Sequence, residues 1–287
     1  MDKGKAVYWI LGILGIFLII GGGLGVYIYG MFFKAAPLAT LVIEQGTVQY
    51  NSGTSWKDAS NGMTLKQDYS VKTLSGSLAK IIFSDSVIRM DENTEIRLEA
   101  LTPEKVSIMQ SIGSTWSRLL KISGISDYEV NTPDAIASVR GTGFSVKYDG
   151  KDTDVKVADG NVSVDSYELE NGAKKKIASM LVEANKELKV RKDSLDKLEK
   201  GDLVEDAWII KNKNLDEEHK KELKQKIMKK YGTIINFAKN KYGFSDAQMN
   251  EIFDDWISGK ISVKKKIASG EIPAEAAGLI PAEFKRY

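Results

Sequence analysis

A long uncharged segment near the N-terminus constrains this chain more than any other feature of its sequence. The 28 residues of Ala6–Phe33 include no charged residue. As a helix they would extend about 42 Å, which exceeds the thickness of about 30 Å of a bilayer's hydrocarbon core. Trp9 lies near one end, and Tyr27 and Tyr29 lie near the other, as in the two aromatic belts of a spanning helix. We therefore predict a transmembrane helix over residues 6–33.

A cleavable signal peptide is the alternative interpretation of this segment. The apolar run is longer than the roughly 7 to 15 residues of a signal-peptide core, and no A-x-A cleavage site follows it, so an uncleaved anchor is favoured. Lys3 and Lys5 precede the segment, and Lys34 follows it. By the positive-inside rule, residues 1–5 are predicted to be cytoplasmic. The rest of the chain, from about Lys34, is predicted to be extracytoplasmic, so that the protein crosses the cell membrane once.

Two glycines of the predicted span have the spacing of a helix-pairing motif. Gly21 and Gly25 form G-x-x-x-G, which allows two membrane helices to approach closely and predicts a homo-oligomer. The alternative is that they reflect only the high frequency of glycine in membrane helices.

The composition excludes several classes of function. Lys and Arg total 41 against 39 Asp and Glu, a formal net charge of +2, so the chain as a whole lacks the basic excess of a polyanion binder. There is no cysteine and one histidine, His219. Disulfides and cysteine nucleophiles are therefore excluded, and zinc or Ser–His–Asp chemistry lacks its usual residues. We predict no catalytic residue, metal, cofactor or nucleic-acid partner, and we interpret His219 as an ordinary surface residue of a helix.

Residues 34–193 have the pattern of an all-β domain. Short β-branched stretches alternate with clusters of Gly, Asn, Asp and Ser, as in a two-sheet sandwich or a short β-solenoid-like fold. Similar segments around Gly46 and Gly160 predict hairpin-like corners near the two ends of this domain. A last hairpin is predicted over residues 174–190, where apolar and polar residues alternate on both sides of a short polar turn.

The segment TPDAIASVRGTGFSV, Thr132–Val146, predicts a strand that turns a corner. Its inward residues share one parity up to Val139 and the opposite parity from Thr142, so the pattern slips by one residue at Gly141. Such a slip would turn the second half of the strand outward without a bulge or bend, and glycine best accepts that geometry. Arg140 precedes the corner. We expect its guanidinium to tie neighbouring carbonyls or a carboxylate, or else to contact a partner.

This segment matches T-P-x-A-x-A-x-V-R-G-T-x-F-x-V and resembles the FecR domain family, which is named after an iron-dicitrate sensor. The motif residues that we single out, as structural or partner-binding, are Thr132, Pro133, Arg140, Gly141, Thr142 and Phe144. Further residues follow the order of the family on either side: Gly46, Val48, Trp56, Thr73, Ala79, Ile82, Phe83, Asp85, Ile88, Arg89, Asn93, Thr94, Ile96, Gly113, Trp116, Gly160 and Val162. The resemblance covers roughly residues 38–193, and Ser86 departs from it where the family usually has Gly.

The resemblance implies an extracytoplasmic all-β module for protein interaction or signalling, without a catalytic centre. In the best-known members of the family, a cytoplasmic anti-sigma region precedes the membrane span. Here only Met1–Lys5 precede the predicted span, so direct regulation of a sigma factor is not expected unless a separate cytoplasmic subunit joins through the membrane helix.

The pattern becomes helical in residues 194–287. Apolar residues that include Leu223 and Ile227 recur along one stripe, and Asp216–Glu218 supply negative charge at the predicted start of the helix. A second helix is predicted to follow Ser245, which we interpret as its N-cap.

The first predicted helix contains a dense basic tract. It consists of Lys220, Lys221, Lys224, Lys226, Lys229 and Lys230. Lysines in this density are typical of contact with anionic lipid head groups or phosphate-bearing wall polymers. The alternative is a solvated helix face whose charge is balanced by the neighbouring glutamates.

Together these features predict a single-pass, membrane-anchored envelope protein whose FecR-like domain binds a protein partner in signal sensing or scaffolding. The alternative hypothesis is a structural cell-surface protein that is attached to wall polymer through its Lys-rich helices. We do not expect an enzyme.

Overall fold

The computed structural model describes residues 39–84, 86–120, 125–139, 141–257 and 268–270. The predicted membrane segment 6–33 lies outside these residues, and Gly21 and Gly25 lie outside them with it. Within the described ranges, no helix combines the length and the apolar character needed to cross a bilayer.

The described chain is mostly β-sheet, followed by two helices. The strands are β1 (Ala39–Gln45), β2 (Val48–Asn51), β3 (Trp56–Asp58), β4 (Thr64–Leu65), β5 (Ser70–Thr73), β6 (Leu78–Phe83), β7 (Ser86–Met90), β8 (Glu95–Leu101), β9 (Lys105–Arg118), β10 (Asp127–Asn131), β11 (Ala135–Val139), β12 (Gly143–Tyr148), β13 (Thr153–Asp159), β14 (Asn161–Glu170), β15 (Ala173–Glu183), β16 (Lys186–Val190) and β17 (Glu199–Asp202). The helices are α1 (Ala207–Tyr242) and α2 (Asp246–Ile257). The predicted β domain with a helical C-terminal region is confirmed, and its strands continue past residue 193 to Asp202.

The strands form two sheets. Sheet I has the order β4-β1-β6-β7-β9-β12-β13-β16-β17, and all of its ladders are antiparallel. Sheet II has the order β3-β2-β5-β8-β9-β10-β11-β14-β15, in which β9 and β10 run parallel. The long strand β9 belongs to both sheets, because residues 106–112 pair with β8 and residues 113–118 pair with β12.

One core lies between the two sheets. Alternate residues of most strands enter it, among them Ile81 and Phe83 of sheet I and Ile96 and Leu98 of sheet II. This alternation, which the sequence predicts, is confirmed. Since successive side chains of a strand point to opposite faces, the intervening residues form the outer surfaces of the two sheets.

The chain changes sheet repeatedly, and many of these changes use a residue with positive φ. Such residues lie at the corners β1–β2, β5–β6, β7–β8, β11–β12, β13–β14 and β15–β16, and within β9: Gly46, Gly76, Asn93, Gly141, Gly160, Asn185 and Gly113. The predicted corner at Gly141 is confirmed, because β11 pairs in sheet II and β12 pairs in sheet I. The segments around Gly46 and Gly160 are corners between the sheets and not hairpins, since the strands that flank each glycine pair with other strands.

The predicted hairpin over residues 174–190 is wrong. β15 pairs with β14 in sheet II, whereas β16 pairs with β13 and β17 in sheet I. The turn at Asn185 has φ 62° and therefore directs the chain into the other sheet. An alternating pattern on both sides of a polar turn describes a hairpin and a sheet-changing corner equally well.

Helix α1 begins earlier than the sequence predicts. Asp206 is its N-cap, and the side chain accepts a hydrogen bond from the Ile209 N–H at 2.9 Å. Asp216 therefore lies in the third turn and not at the start of the helix, which corrects the prediction for Asp216–Glu218. The predicted cap of the second helix is confirmed: Ser245 Oγ accepts from the Gln248 N–H, and Gln248 Oε1 accepts from the Ser245 N–H.

Candidate functional site

The outer face of sheet I carries two rows of polar side chains beneath α1. Arg89 of β7 lies opposite Trp116 of β9, and Trp116 lies opposite Ser145 of β12. In the next row, Arg118 of β9 lies opposite Gly143 of β12. These residues alternate with residues of the core, so their side chains point away from it. Arg89, Trp116 and Arg118 are nevertheless almost completely buried, because α1 covers them.

Asp216 of α1 brings three of these side chains together. Its Oδ1 accepts a hydrogen bond from Arg89 Nη1 at 2.6 Å. Its Oδ2 accepts from Arg118 Nε at 2.7 Å and from Trp116 Nε1 at 3.0 Å. The carboxylate is 0% exposed, and each guanidinium side chain is 7% exposed. Three donors thus converge on one buried carboxylate, as charge burial requires. We call Arg89, Trp116 and Arg118 the Arg–Trp cluster.

Gly143 lets the side chain of Arg118 extend across the sheet. A Cβ atom at Gly143 would lie 2.9 Å from Arg118 Cζ, so the guanidinium passes directly over this glycine. Its Nη1 then donates to Asp159 Oδ2 at 2.8 Å. Burial alone would lower the pKa of Arg118, but the charges and hydrogen bonds of Asp216 and Asp159 raise this pKa above its ordinary value. Arg118 therefore joins the helix to the end of β13 as a permanent cation.

The first half of the family motif is a tightly bonded turn between β10 and β11. Thr132 Oγ1 donates to Asp134 Oδ1 at 2.9 Å and accepts from the Ala135 N–H at 3.0 Å. The Tyr167 hydroxyl donates to the Thr132 carbonyl, and burial raises the pKa of Tyr167 to about 12. Pro133 lies within the turn, two residues before the strand begins. These contacts give Thr132 a structural role.

The second half of the motif forms the corner and part of the core. Gly141 has φ 74°, and its neighbour Thr142 is fully buried. Phe144 is also fully buried, and its ring meets that of Tyr128 edge-on with 6.1 Å between centroids. Arg140 lies outside the described residues. Thr132, Thr142 and Phe144 are therefore buried in the domain, whereas Pro133 is exposed.

The six lysines of the basic tract do not share one face of α1. They are Lys220, Lys221, Lys224, Lys226, Lys229 and Lys230. Successive residues of a helix are about 100° apart, so Lys221 and Lys226 project about 140° from each other. Lys220 donates to Glu217 Oε1 at 2.7 Å, and Lys224 donates to Asp254 Oδ1 of α2 at 3.3 Å. Two members of the tract are thus engaged within the helical region.

A polar cleft of about 180 Å³ separates the start of α1 from sheet I. Asp91, Ser145, Lys147 and Lys156 line it from the sheet, and Trp208 lines it from the helix. Burial raises the pKa of Asp91, although a hydrogen bond from a backbone N–H opposes the shift. In the part of the chain that the structure describes, no group of three or more His, Asp or Glu side chains is placed to hold a metal ion.

The sequence analysis did not identify Asp216 or Arg118 as members of a site. A signal for Asp216 does exist in the sequence. It lies seven residues after Ile209 and seven before Leu223, two buried apolar residues, so helical periodicity puts this acidic residue on the apolar stripe of α1. An aspartate at such a position requires a buried cationic partner. His219 lies on the same helix and is partly exposed.

Comparison with known proteins gives one family match. Residues 69–163 match the family model described as FecR protein. This range includes Arg89, Trp116 and Arg118 but not Asp216.

Two crystal structures of a candidate anti-sigma factor from Parabacteroides distasonis ATCC 8503, at 1.65 and 2.50 Å resolution, are also similar to this chain. Each has 20% sequence identity and a TM-score of 0.39, and the match covers 47% of this chain. This chain spans 59% of the length of each solved chain. No curated protein sequence matches it significantly.

Proposed function

Because residues 69–163 form a FecR domain, as the sequence motif predicts, we propose that this chain is a membrane-anchored envelope protein whose β domain binds a protein partner in signal sensing or scaffolding. The family match is the observation that carries this proposal. The uncharged segment 6–33 supports a single membrane anchor, and the lysines around it support a cytoplasmic N-terminus. Gly21 and Gly25 support pairing of two such anchors.

The character of the described domain supports binding over catalysis. The described residues of the motif form the turn, the corner and part of the core. The outer face of sheet II, in contrast, carries charged side chains. Arg97 is exposed, and Lys72 and Glu129 are half-buried. Charged side chains on an outer face can steer and orient a protein partner of complementary charge.

Lysine cross-linking in intact cells tests the proposal. A reagent that cannot cross the membrane is applied to cells that produce the full chain, and the protein is then captured and analysed by mass spectrometry. We expect heavy labelling of lysines after Lys34 and a reproducible protein partner. Absence of labelling, with a membrane-permeable reagent reacting normally in parallel, would refute the outward topology on which the proposal depends.

The exposure of Lys221, Lys226 and Lys229 supports the second candidate function, attachment to wall polymer or another anionic surface. Replacement of the six lysines of the basic tract by Gln separates the two functions. Attachment through the tract predicts release of the β domain from isolated envelopes, whereas partner binding by the FecR domain predicts an unchanged cross-linked partner. A variant that behaves like wild type in both assays excludes the second function.

A further inference from the structure

Helix α1 has buried polar residues on the same stripe as its buried apolar residues. Among the side chains of α1 that the structure describes, Ile209, Leu223 and Ile227 are buried, and the buried polar residues Asn212 and Asp216 lie between Ile209 and Leu223. Apolar burial is the main source of stable docking between elements, and these two polar residues interrupt it. Specific polar contacts determine its position.

The first turns of α1 also leave polar atoms without hydrogen bonds in the described part of the protein. They are Trp208 Nε1, beside the polar cleft, and Asn212 Oδ1. Each would gain a hydrogen bond to water on leaving the sheet, which favours release of the helix. Asp216 opposes release, because its carboxylate accepts three hydrogen bonds from the Arg–Trp cluster.

We propose that the Arg–Trp cluster is a carboxylate-recognition site of this FecR domain and that α1 is its displaceable intramolecular occupant. The external ligand is an acidic helical segment of the partner protein, which takes the place of Asp216. This inference rests on the proposed function, since it assumes that the domain binds a protein. It adds which surface the partner contacts and which chemistry it must present.

The charges of the site define that chemistry. When Asp216 leaves, two guanidinium groups and an indole N–H face outward, and Asp159 pairs with only one of these cations. The resulting net positive site selects a carboxylate, which Arg binds with fixed geometry. The spacing of Ile209 and Leu223 around Asp216 implies a helix with apolar residues seven positions before and after its acidic residue.

The helix itself provides a probe of defined composition. A synthetic peptide with the sequence of residues 206–230, labelled with fluorescein, is titrated with the purified full chain in detergent micelles while fluorescence anisotropy is recorded. The full-chain variant Asp216→Asn should bind the peptide at least about tenfold more tightly than the wild-type chain, because the substitution weakens the intramolecular occupant. The matched control Glu217→Gln, at the next and exposed position, should bind it as weakly as wild type.

Two further comparisons keep the proposal open to refutation. Arg89→Gln in the Asp216→Asn chain should abolish most of the added binding, and a peptide that carries Asn at position 216 should bind neither chain. The proposal would be overturned if the Asp216→Asn chain bound the Asp and Asn peptides equally. It would also be overturned if this chain bound neither peptide while hydrogen exchange showed that its strands kept their protection.

In cells, the Asp216→Asn chain should also cross-link more of the partner than the wild-type chain does. A partner captured equally by both chains would refute displacement of α1 but leave the proposed function intact. Failure to capture any partner, with the peptide results as expected, would instead count against the proposed function.

Discussion

Arg118 and Asp216 are 98 residues apart in sequence, yet Arg118 Nε donates to Asp216 Oδ2 at 2.7 Å in a buried ion pair. Pairs of this kind add little net stability, because the loss of hydration offsets the attraction between the charges. Their effect is to fix where two elements meet. Removal of one partner has a much larger effect, since it leaves the other charge buried and uncompensated.

Arg118→Met should lower the free energy of unfolding by at most about 3–5 kcal/mol, because it removes one of the two cations beside the buried Asp216, and release of α1 would limit this cost by exposing Asp216 to water. Urea denaturation of the purified chain measures this change. The matched control is Arg97→Met, which removes an exposed pair with Glu99 and should cost no more than about 1 kcal/mol. Equal costs for the two variants would show that burial does not govern the contribution of Arg118.

Gly143→Ala should destabilise the domain by about 1–3 kcal/mol, because the added Cβ displaces the Arg118 guanidinium from above this residue. Thermal unfolding measures the change. Gly201→Ala is the control, since a Cβ at Gly201 would meet no atom within 4 Å. The cost at Gly143 should shrink in an Arg118→Met background, and a fully additive double variant would contradict the steric explanation.

The stability contributed by Asp134 should increase as the pH falls. Burial raises its pKa above the ordinary value of 3.8, although hydrogen bonds from the Thr153 and Thr132 hydroxyls oppose the shift. A raised pKa in the folded state means that this contribution is complete below 3.8 and is lost as the pH rises through the folded value. Wild type should therefore gain stability relative to Asp134→Asn between about pH 7 and about pH 4 in urea titrations. A pH-independent difference would contradict this assignment.

Asp206→Ala should loosen the start of α1, since the side chain caps the Ile209 N–H and pairs with Lys156. Loss of an N-cap costs about 0.5–2 kcal/mol of helix stability. Hydrogen exchange of the amides in the first turn should become faster, while the strands of sheet I keep their protection. Asp206→Asn should have a smaller effect, because Asn caps helices about as well as Asp. Identical exchange in both variants would indicate that charge, and not capping, holds this turn.

The corner at Gly141 could be predicted from the sequence because it depends on local information. The inward residues change parity there, and a change of parity along a strand requires a change of direction. The hairpin predicted over residues 174–190 was wrong because the pairing of strands does not depend on local information alone. Periodicity specifies which side chains of a strand face inward, but not which strand it pairs with, and that choice depends on β13 and β14.

The site depends on contacts between distant segments, which periodicity cannot reveal. Periodicity places Asp216 on the apolar stripe of α1, but it does not identify the cations that Asp216 meets. Asp216 is buried only because Arg89 and Trp116, which match the family pattern, lie on adjoining strands of the outer face of sheet I. The lysines near Asp216 were more conspicuous in the sequence, but they do not share a face of α1.

The sequence separation of Arg118 and Asp216 also affects the order of folding. Contacts between distant segments form late, because the closure of a long loop must precede them. The binding position of α1 spans β7 and β9, whose pairing depends in turn on strands of both sheets. We therefore expect helix α1 to dock late in folding, after the strands that carry the Arg–Trp cluster have paired.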